Sequence, residues 1–242
     1  MRFKTFNAFW KNAIFMIRCG ATMRMVVDHY KSVEREEHIA ESYQSLRAEY
    51  RKLCETKEFS EDWFSGNIPH WVDAFHHAGI QPSDKLKILE IGSFQGRSAL
   101  FLAQYFSSAH IDCVDTWEGS DEHILNSATI TLGDVFRKNL EGYAGVKMHV
   151  MTSSEYFLKS TNDAYDIIYI DGSHRASDVL LDVVSAFYRL RRGGLLMLDD
   201  YLWKHYSHAE KNPCVAINSF FKIFENEVNI VRFGYQMYLM KI

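Results

Sequence analysis

The sequence predicts an α/β protein: a mostly parallel sheet with helices on both faces, closed by an antiparallel hairpin and preceded by a helical extension. Three observations carry this. From Lys85 onward, short and nearly continuous apolar runs alternate with segments of helical periodicity, the pattern of strands buried on both faces. The last two strand-like runs, Val228–Phe233 and Tyr235–Ile242, are separated only by Gly234, too close to be parallel. Before residue 58 the apolar patterns all repeat every three to four residues, so that region is helical. The chain therefore divides into a helical N-terminal extension, residues 1–57, and an α/β domain, residues 58–242.

In the extension, Phe6, Trp10, Ile14 and Ile17 recur at helical spacing and form one apolar stripe beside basic residues. Arg2, Lys4, Lys11, Arg18 and Arg24 all precede the first acid, Asp28. A secretory signal would need a longer uninterrupted apolar core and a small-residue cleavage site, and neither is present. The expectation is a helix packed on the domain or on a second subunit of a homodimer, with membrane association through this helix as the alternative. Ser32 is read as the N-cap of the next helix, with Glu34, Glu36 and Glu37 at its positive end. Ile39, Tyr43, Leu46, Tyr50 and Leu53 extend that helix to about Thr56, its stripe lying on its own domain.

Pro69 and Gly79 bracket a short helix at its first turn and its end. The alternation then runs Lys87–Ile91 and a helix from Gly96, followed by His110–Val114, a polar loop and a helix. Val146–Met151 precedes a helix from Ser153, and Tyr165–Ile170 precedes a helix over about Ala176–Arg191. Leu195–Leu198 is the fifth strand, Val215–Phe224 the last helix, and the hairpin closes the chain.

Composition narrows the function classes. With 47% hydrophobic residues and a net charge of −4 over 242 residues, the chain can build one large core and offers no basic surface for nucleic acid. Cys19, Cys54, Cys113 and Cys214 are scattered without a C-x-x-C pair, which reads as free thiols in a reducing, cytoplasmic setting.

The first chemical signal is KILEIGSFQGRSA, from Lys87 to Ala99. A strand runs into a tight turn with Gly92 and Gly96 and then into a helix. Glycine suits a backbone that a ligand must approach, and the helix start offers unpaired N–H groups. A dinucleotide fingerprint would need G-x-G-x-x-G, and Phe94 stands where its second glycine belongs, so a nicotinamide-dependent oxidoreductase is disfavoured.

The run Glu90-x-Gly92-x-Phe94-x-Gly96-x-Ser98 resembles the first motif of class I S-adenosylmethionine-dependent methyltransferases. It is most similar to the branch of catechol O-methyltransferase and the metal-dependent sugar O-methyltransferases. The segment FSEDWFSGNIPHW, Phe59 to Trp71, resembles the lead-in of bacterial members, and the closing hairpin is the usual end of their Rossmann-like sheet. The resemblance implies that Glu90, Gly92, Ser93, Phe94, Gly96 and Ser98 surround the methionine part of S-adenosylmethionine, Ser98 reaching its carboxylate.

Asp115 and Trp117 end the second strand, where a carboxylate can accept both ribose hydroxyls. Ser153 and Ser154 open the helix after the third strand, where the family contacts adenine; a helix N-cap is the equal alternative. Asp171 ends the fourth strand, and Asp199 and Asp200 end the fifth. Three carboxylates at adjacent strand ends repel unless a cation sits between them, and hard oxygen donors suit Mg²⁺. The resemblance implies the same metal ligands, with Asp171 also lining the cofactor site. His174 stands where catechol-type enzymes carry lysine, and a neutral imidazole can take a hydroxyl proton near pH 7. The expected activity is methyl transfer to a hydroxyl of a small acceptor, such as a sugar or glycoside. A metal-independent N- or O-methyltransferase is the alternative.

Overall fold

In a computed structural model of the chain, residues 3–119, 131–160 and 164–242 are described, with side chains from residue 8 onward. The extension holds α1 (Phe3–Arg18), α2 (Met23–Glu34), α3 (Glu36–Ser42) and α4 (Gln44–Cys54). The domain continues with α5 (Ile68–His77), β1 (Lys87–Ile91), α6 (Arg97–Tyr105), β2 (His110–Asp115) and α7 (Leu132–Asn139). It ends with β3 (Val146–Val150), α8 (Ser153–Lys159), β4 (Tyr165–Ile170), α9 (Ala176–Arg189), β5 (Leu190–Leu198), α10 (Pro213–Phe224), β6 (Val228–Phe233) and β7 (Met237–Lys241). The polar loop expected after β2 falls at residues 120–130, outside the described residues.

The strands form one seven-stranded sheet in the order β3-β2-β1-β4-β5-β7-β6. All neighbours from β3 to β5 are parallel, and β7 runs antiparallel to both β5 and β6. The order in which strands are added reverses between β1 and β4, and that switch point opens the carboxyl edge, where an open α/β sheet binds its ligands. One apolar core lies on each side of the sheet. α8, α9, α10, α1 and α2 cover Leu89, Ile168, Leu196 and Leu239 on one face. On the other, α4 to α7 cover Ile88, Ile111, Ile167 and Met197. Alternate residues of the central strands β1, β4 and β5 thus face opposite cores, which is why these strands read as nearly unbroken apolar runs.

Several sequence expectations need correction. The helix expected from Ser32 to Thr56 is three helices, broken at Arg35 and Tyr43. The breaks let successive turns follow a curved surface: α2 lies along β6, while α3 and α4 pack on α5. Ser32 is inside α2 rather than at its start. Thr22 caps that helix, and the Ser32 hydroxyl accepts the backbone N–H of Phe233 at 2.9 Å. Together with His29 Nδ1, 3.0 Å from the Phe233 carbonyl, it covers the sheet's free edge at β6.

In α1 the buried face is Phe9, Ala13 and Met16, whereas Trp10, Ile14 and Ile17 of the expected stripe are exposed; the side chain of Phe6 lies outside the described residues. The hairpin turn spans Gly234 to Gln236 instead of one glycine. The helix after β4 stops at Arg189, and β5 begins at once at Leu190.

Candidate active site

The turn after β1 is built by close packing of the protein on itself. Gly92 has φ +84°, and a Cβ there would lie 2.0 Å from the Asp171 carbonyl oxygen. Gly96, also at φ +84°, would place a Cβ 2.4 Å from Leu140 Cδ2. The protein's own groups thus already require glycine here: the end of β4 at Gly92, and the side chains of Phe136 on α7 and Leu140 at Gly96. Only glycine tolerates both the left-handed backbone and that approach.

Asp115 fastens this turn to the end of β2. Its Oδ2 accepts the backbone N–H groups of Ser93 (2.8 Å) and Phe94 (2.9 Å), and its Oδ1 accepts that of Trp117 (2.8 Å). Three of its roughly four acceptor directions are thereby used. Trp117 Nε1 donates in turn to the Phe94 carbonyl at 2.7 Å. Phe94, Trp117 and Asp200 are the non-glycine residues with positive φ among the described residues, at 46°, 53° and 56°. All three lie at the carboxyl edge, and such local strain is characteristic of sites that must hold a fixed shape.

Glu90 and Ser98 lie beneath the turn. The Ser93 hydroxyl donates to Glu90 Oε2 at 2.6 Å. Burial pushes the Glu90 carboxyl up to about 7, opposed by the hydroxyls of Ser93 and Ser98 and the Cys113 thiol. At α8 the N-cap is Thr152, in a reciprocal box with Glu155. Neither Ser153, half-buried, nor Ser154, exposed, is the cap.

The acidic cluster forms where β4 and β5 end side by side. The Tyr169 hydroxyl lies 2.9 Å from Asp171 Oδ2 and also bonds Asp199 Oδ2. A phenol has one proton, so it satisfies one carboxylate and leaves the other facing an oxygen lone pair. Burial, then the neighbouring carboxylates, push Asp171 well above the usual carboxylate range; burial first and Asp200 second push Asp199 up to about 6. The cluster needs one more positive charge or proton than its own side chains supply.

Asp199 is held from three sides. Besides Tyr169, Gln236 Nε2 donates to its Oδ2 at 2.6 Å and the Asp200 backbone N–H to its Oδ1 at 2.7 Å. Asp200 presents Oδ2 to His174 Nε2 at 2.8 Å and accepts the Tyr235 hydroxyl on Oδ1 at 2.9 Å. Asp171, His174 and Asp200 each offer a ligand atom, all within 4.8 Å of one another. Asp199, which the sequence predicts as a ligand beside Asp171 and Asp200, is not in this group; Tyr169 and Gln236 engage its Oδ2 instead. The His174 ring packs on Trp203, 4.6 Å between centroids, and Trp203 stacks on His205 at 4.8 Å.

Tyr169, Gln236, Tyr235 and Trp203 were not singled out by sequence. Tyr169 had a signal: two residues before Asp171 on a strand, it points to the same face. Gln236 had none, because its place depends on the hairpin turn. Behind them, Trp71 Nε1 donates to Gln236 Oε1 at 2.9 Å and its ring meets that of Tyr169 at 4.6 Å.

Comparison with known proteins agrees with this architecture. Residues 89–201, from β1 through the end of β5, match the family model of a methyltransferase domain. No curated protein sequence matches the chain. Among solved structures, a candidate caffeoyl-CoA O-methyltransferase from Staphylococcus aureus superimposes with a TM-score of 0.57 at 14% identity, over 86% of this chain and 99% of that one. A Podospora anserina methyltransferase bound to S-adenosylhomocysteine gives 0.53 at 15% identity, over 81% of this chain and 87% of its own. The MycE methyltransferase of the mycinamycin biosynthetic pathway, in complex with Mg and S-adenosylhomocysteine, gives 0.53 at 16% identity; 79% of this chain aligns with 54% of MycE. The chain thus carries a segment that matches a methyltransferase domain, and it shares the fold of these methyltransferases.

Proposed function

We propose that the protein transfers the methyl group of S-adenosylmethionine to a hydroxyl of a small acceptor, a sugar or glycoside being the class favoured, beside a divalent cation at the ends of β4 and β5. The observation that carries the reading is the proton shortage at Tyr169, whose single hydroxyl hydrogen serves two half-buried carboxylates, with Asp200 adjoining. Asp171 and Asp200 would hold the cation, most simply Mg²⁺, and Asp199, bonded by Tyr169 and Gln236, would keep them in place. A bound divalent cation there would lower the pKa of an acceptor hydroxyl and offset the charge it develops.

The cofactor's methionine and ribose would lie over the turn formed by Gly92, Ser93, Phe94 and Gly96, above Glu90 and Ser98. Asp115 and Trp117 would shape its ribose side, Ser153 and Ser154 its adenine side, and Asp171 its methyl end. His174 would act as the proton acceptor. With its Nε2–H donated to Asp200, the neutral ring accepts a proton at Nδ1, and Asp200 fixes that tautomer. The ligand-distance grouping of His174 with Asp171 and Asp200 supports a second reading, His174 as the third cation donor.

The test is consumption of S-adenosylmethionine against a library of hydroxylated metabolites, after exhaustive chelation and again after Mg²⁺ is restored. Methylation that vanishes and returns with the metal supports the proposal. Full turnover in the chelated protein would replace the cation by a proton shared among Tyr169, Asp171 and Asp199, and make the enzyme metal-independent.

A further inference from the structure

The first helix has two apolar faces, and among the described residues one is buried in the core while the other is largely exposed. Phe9, Ala13 and Met16 are buried against the domain, while on the neighbouring face Trp10, Ile14 and Ile17 are 50%, 58% and 50% exposed. α2 repeats the arrangement, with Met25, Val26 and His29 turned inward and Met23 and Val27 outward. The Phe9 ring contacts both Trp10 and Tyr30 at 5.4 Å, which joins the outer faces of the two helices. Single exposed apolar residues need no explanation, but two adjoining helical rows form a patch.

Charge says what such a patch would meet. The chain's net charge of −4 divides into +5 over the first 27 residues and −9 over the remainder. Lys11 and Arg18 are exposed beside the apolar row of α1, and Arg24 and Lys31 beside that of α2. Asp28, the first acid, is within 4.0 Å of Arg24 and 3.2 Å of Lys31. An anionic surface would therefore repel the body of the protein and attract this end alone. A second copy docking here through the same face would oppose two basic ends, a like-charge cost that a bilayer of anionic lipid turns into attraction.

We propose that the outer face of α1 and α2 docks on an anionic phospholipid bilayer. Trp10, Ile14 and Ile17 sit at the headgroup–acyl boundary, with Lys11 and Arg18 on the lipid phosphates. Among the described residues no helix is long and apolar enough to cross a membrane, so α1, with 16 residues, lies on the surface. Docking would also bring the acidic site near the lipid. Asn12 of α1 accepts from Lys204 Nζ at 3.1 Å, and Lys204 adjoins Trp203, the ring packed on His174.

The test is co-sedimentation of the full chain with phosphatidylcholine vesicles and with vesicles containing about 30% phosphatidylserine, at low and high salt. Binding is expected only with phosphatidylserine and should weaken as salt rises. K11E/R18E should lower the partition coefficient more than about tenfold, since each lost cation near the surface is worth about fivefold. W10S/I14S/I17S should lower it by at least as much, with the melting temperature of both variants near that of the parent. Equal binding to both vesicle types, or none to either, overturns the proposal. So does a dimer in sedimentation velocity that the triple variant dissolves, because a second copy would then cover the face.

Discussion

Replacing Gly92 by alanine separates two costs that glycine avoids, and Gly79→Ala supplies the control. Both positions have positive φ, +84° and +71°. At Gly79 an added Cβ meets nothing within 4 Å, so that variant bears only the backbone cost, about 1 kcal/mol. At Gly92 the same methyl would sit 2.0 Å from the Asp171 carbonyl oxygen, 2.4 Å from its carbon and 2.8 Å from Gly172 Cα. These are backbone atoms at the end of β4, where the Asp171 N–H also bonds the Ile91 carbonyl at 2.8 Å, so relief requires moving the strand end. Overpacking of that kind adds about 1–3 kcal/mol, for a total of about 2–4 kcal/mol. Urea denaturation of the two variants reads the difference directly. Because the strand end carries Asp171, calorimetric titration with Mn²⁺ should show weaker binding for Gly92→Ala and none of that loss for Gly79→Ala. Equal destabilisation by the two substitutions would refute the reasoning, and the turn would then owe its glycine to ligand approach alone.

Asp182 gives a pH test. Burial holds its carboxyl up at about 6, so the folded state favours the neutral acid, and stability is greatest below the unfolded pKa and declines as pH rises toward 6. Asp182→Asn should remove that decline and gain on the order of 3 kcal/mol at pH 7, read from denaturation midpoints at pH 4 and pH 7; an unchanged pH slope would contradict it. On the proposed reading, Asp171→Asn should cost about a thousandfold or more in metal-dependent turnover while largely sparing S-adenosylhomocysteine binding, because the main seat proposed for the cofactor is the turn after β1. An unaltered rate would remove Asp171 from the site. His174→Ala should slow turnover by about a hundred- to ten-thousandfold, and Mn²⁺ affinity decides its role: unchanged affinity marks a proton acceptor, a large loss a cation donor.

The central strands were legible because they are buried on both faces, so that apolar runs such as Lys87–Ile91 and Tyr165–Ile170 stand out and match the observed strands residue for residue. The acids were legible because a parallel sheet brings its carboxyl ends together. The extension was legible only as helix. Periodicity in α1 supports two apolar rows, Phe9-Ala13-Met16 and Trp10-Ile14-Ile17, and the choice between them is made by a partner surface that lies far away in sequence. The breaks at Arg35 and Tyr43 have no proline or glycine to announce them.

Gln236 shows why part of the site stays hidden even when the fold is read correctly. The closing hairpin identifies the sheet, yet its register is set by a turn of three residues rather than the single glycine expected. Only the observed register, Leu198 opposite Met237, makes Asp199 and Gln236 the next facing pair, and so allows the 2.6 Å bond from Gln236 Nε2 to Asp199 Oδ2. One residue of slip would send position 236 to the other side of the sheet and leave Asp199 with Tyr169 as its only side-chain donor. The hairpin is thus more than the end of the fold. Through Gln236, held by Trp71 and Tyr238, it sets one half-buried acid beside two others, and the shortage of protons among them follows from its register.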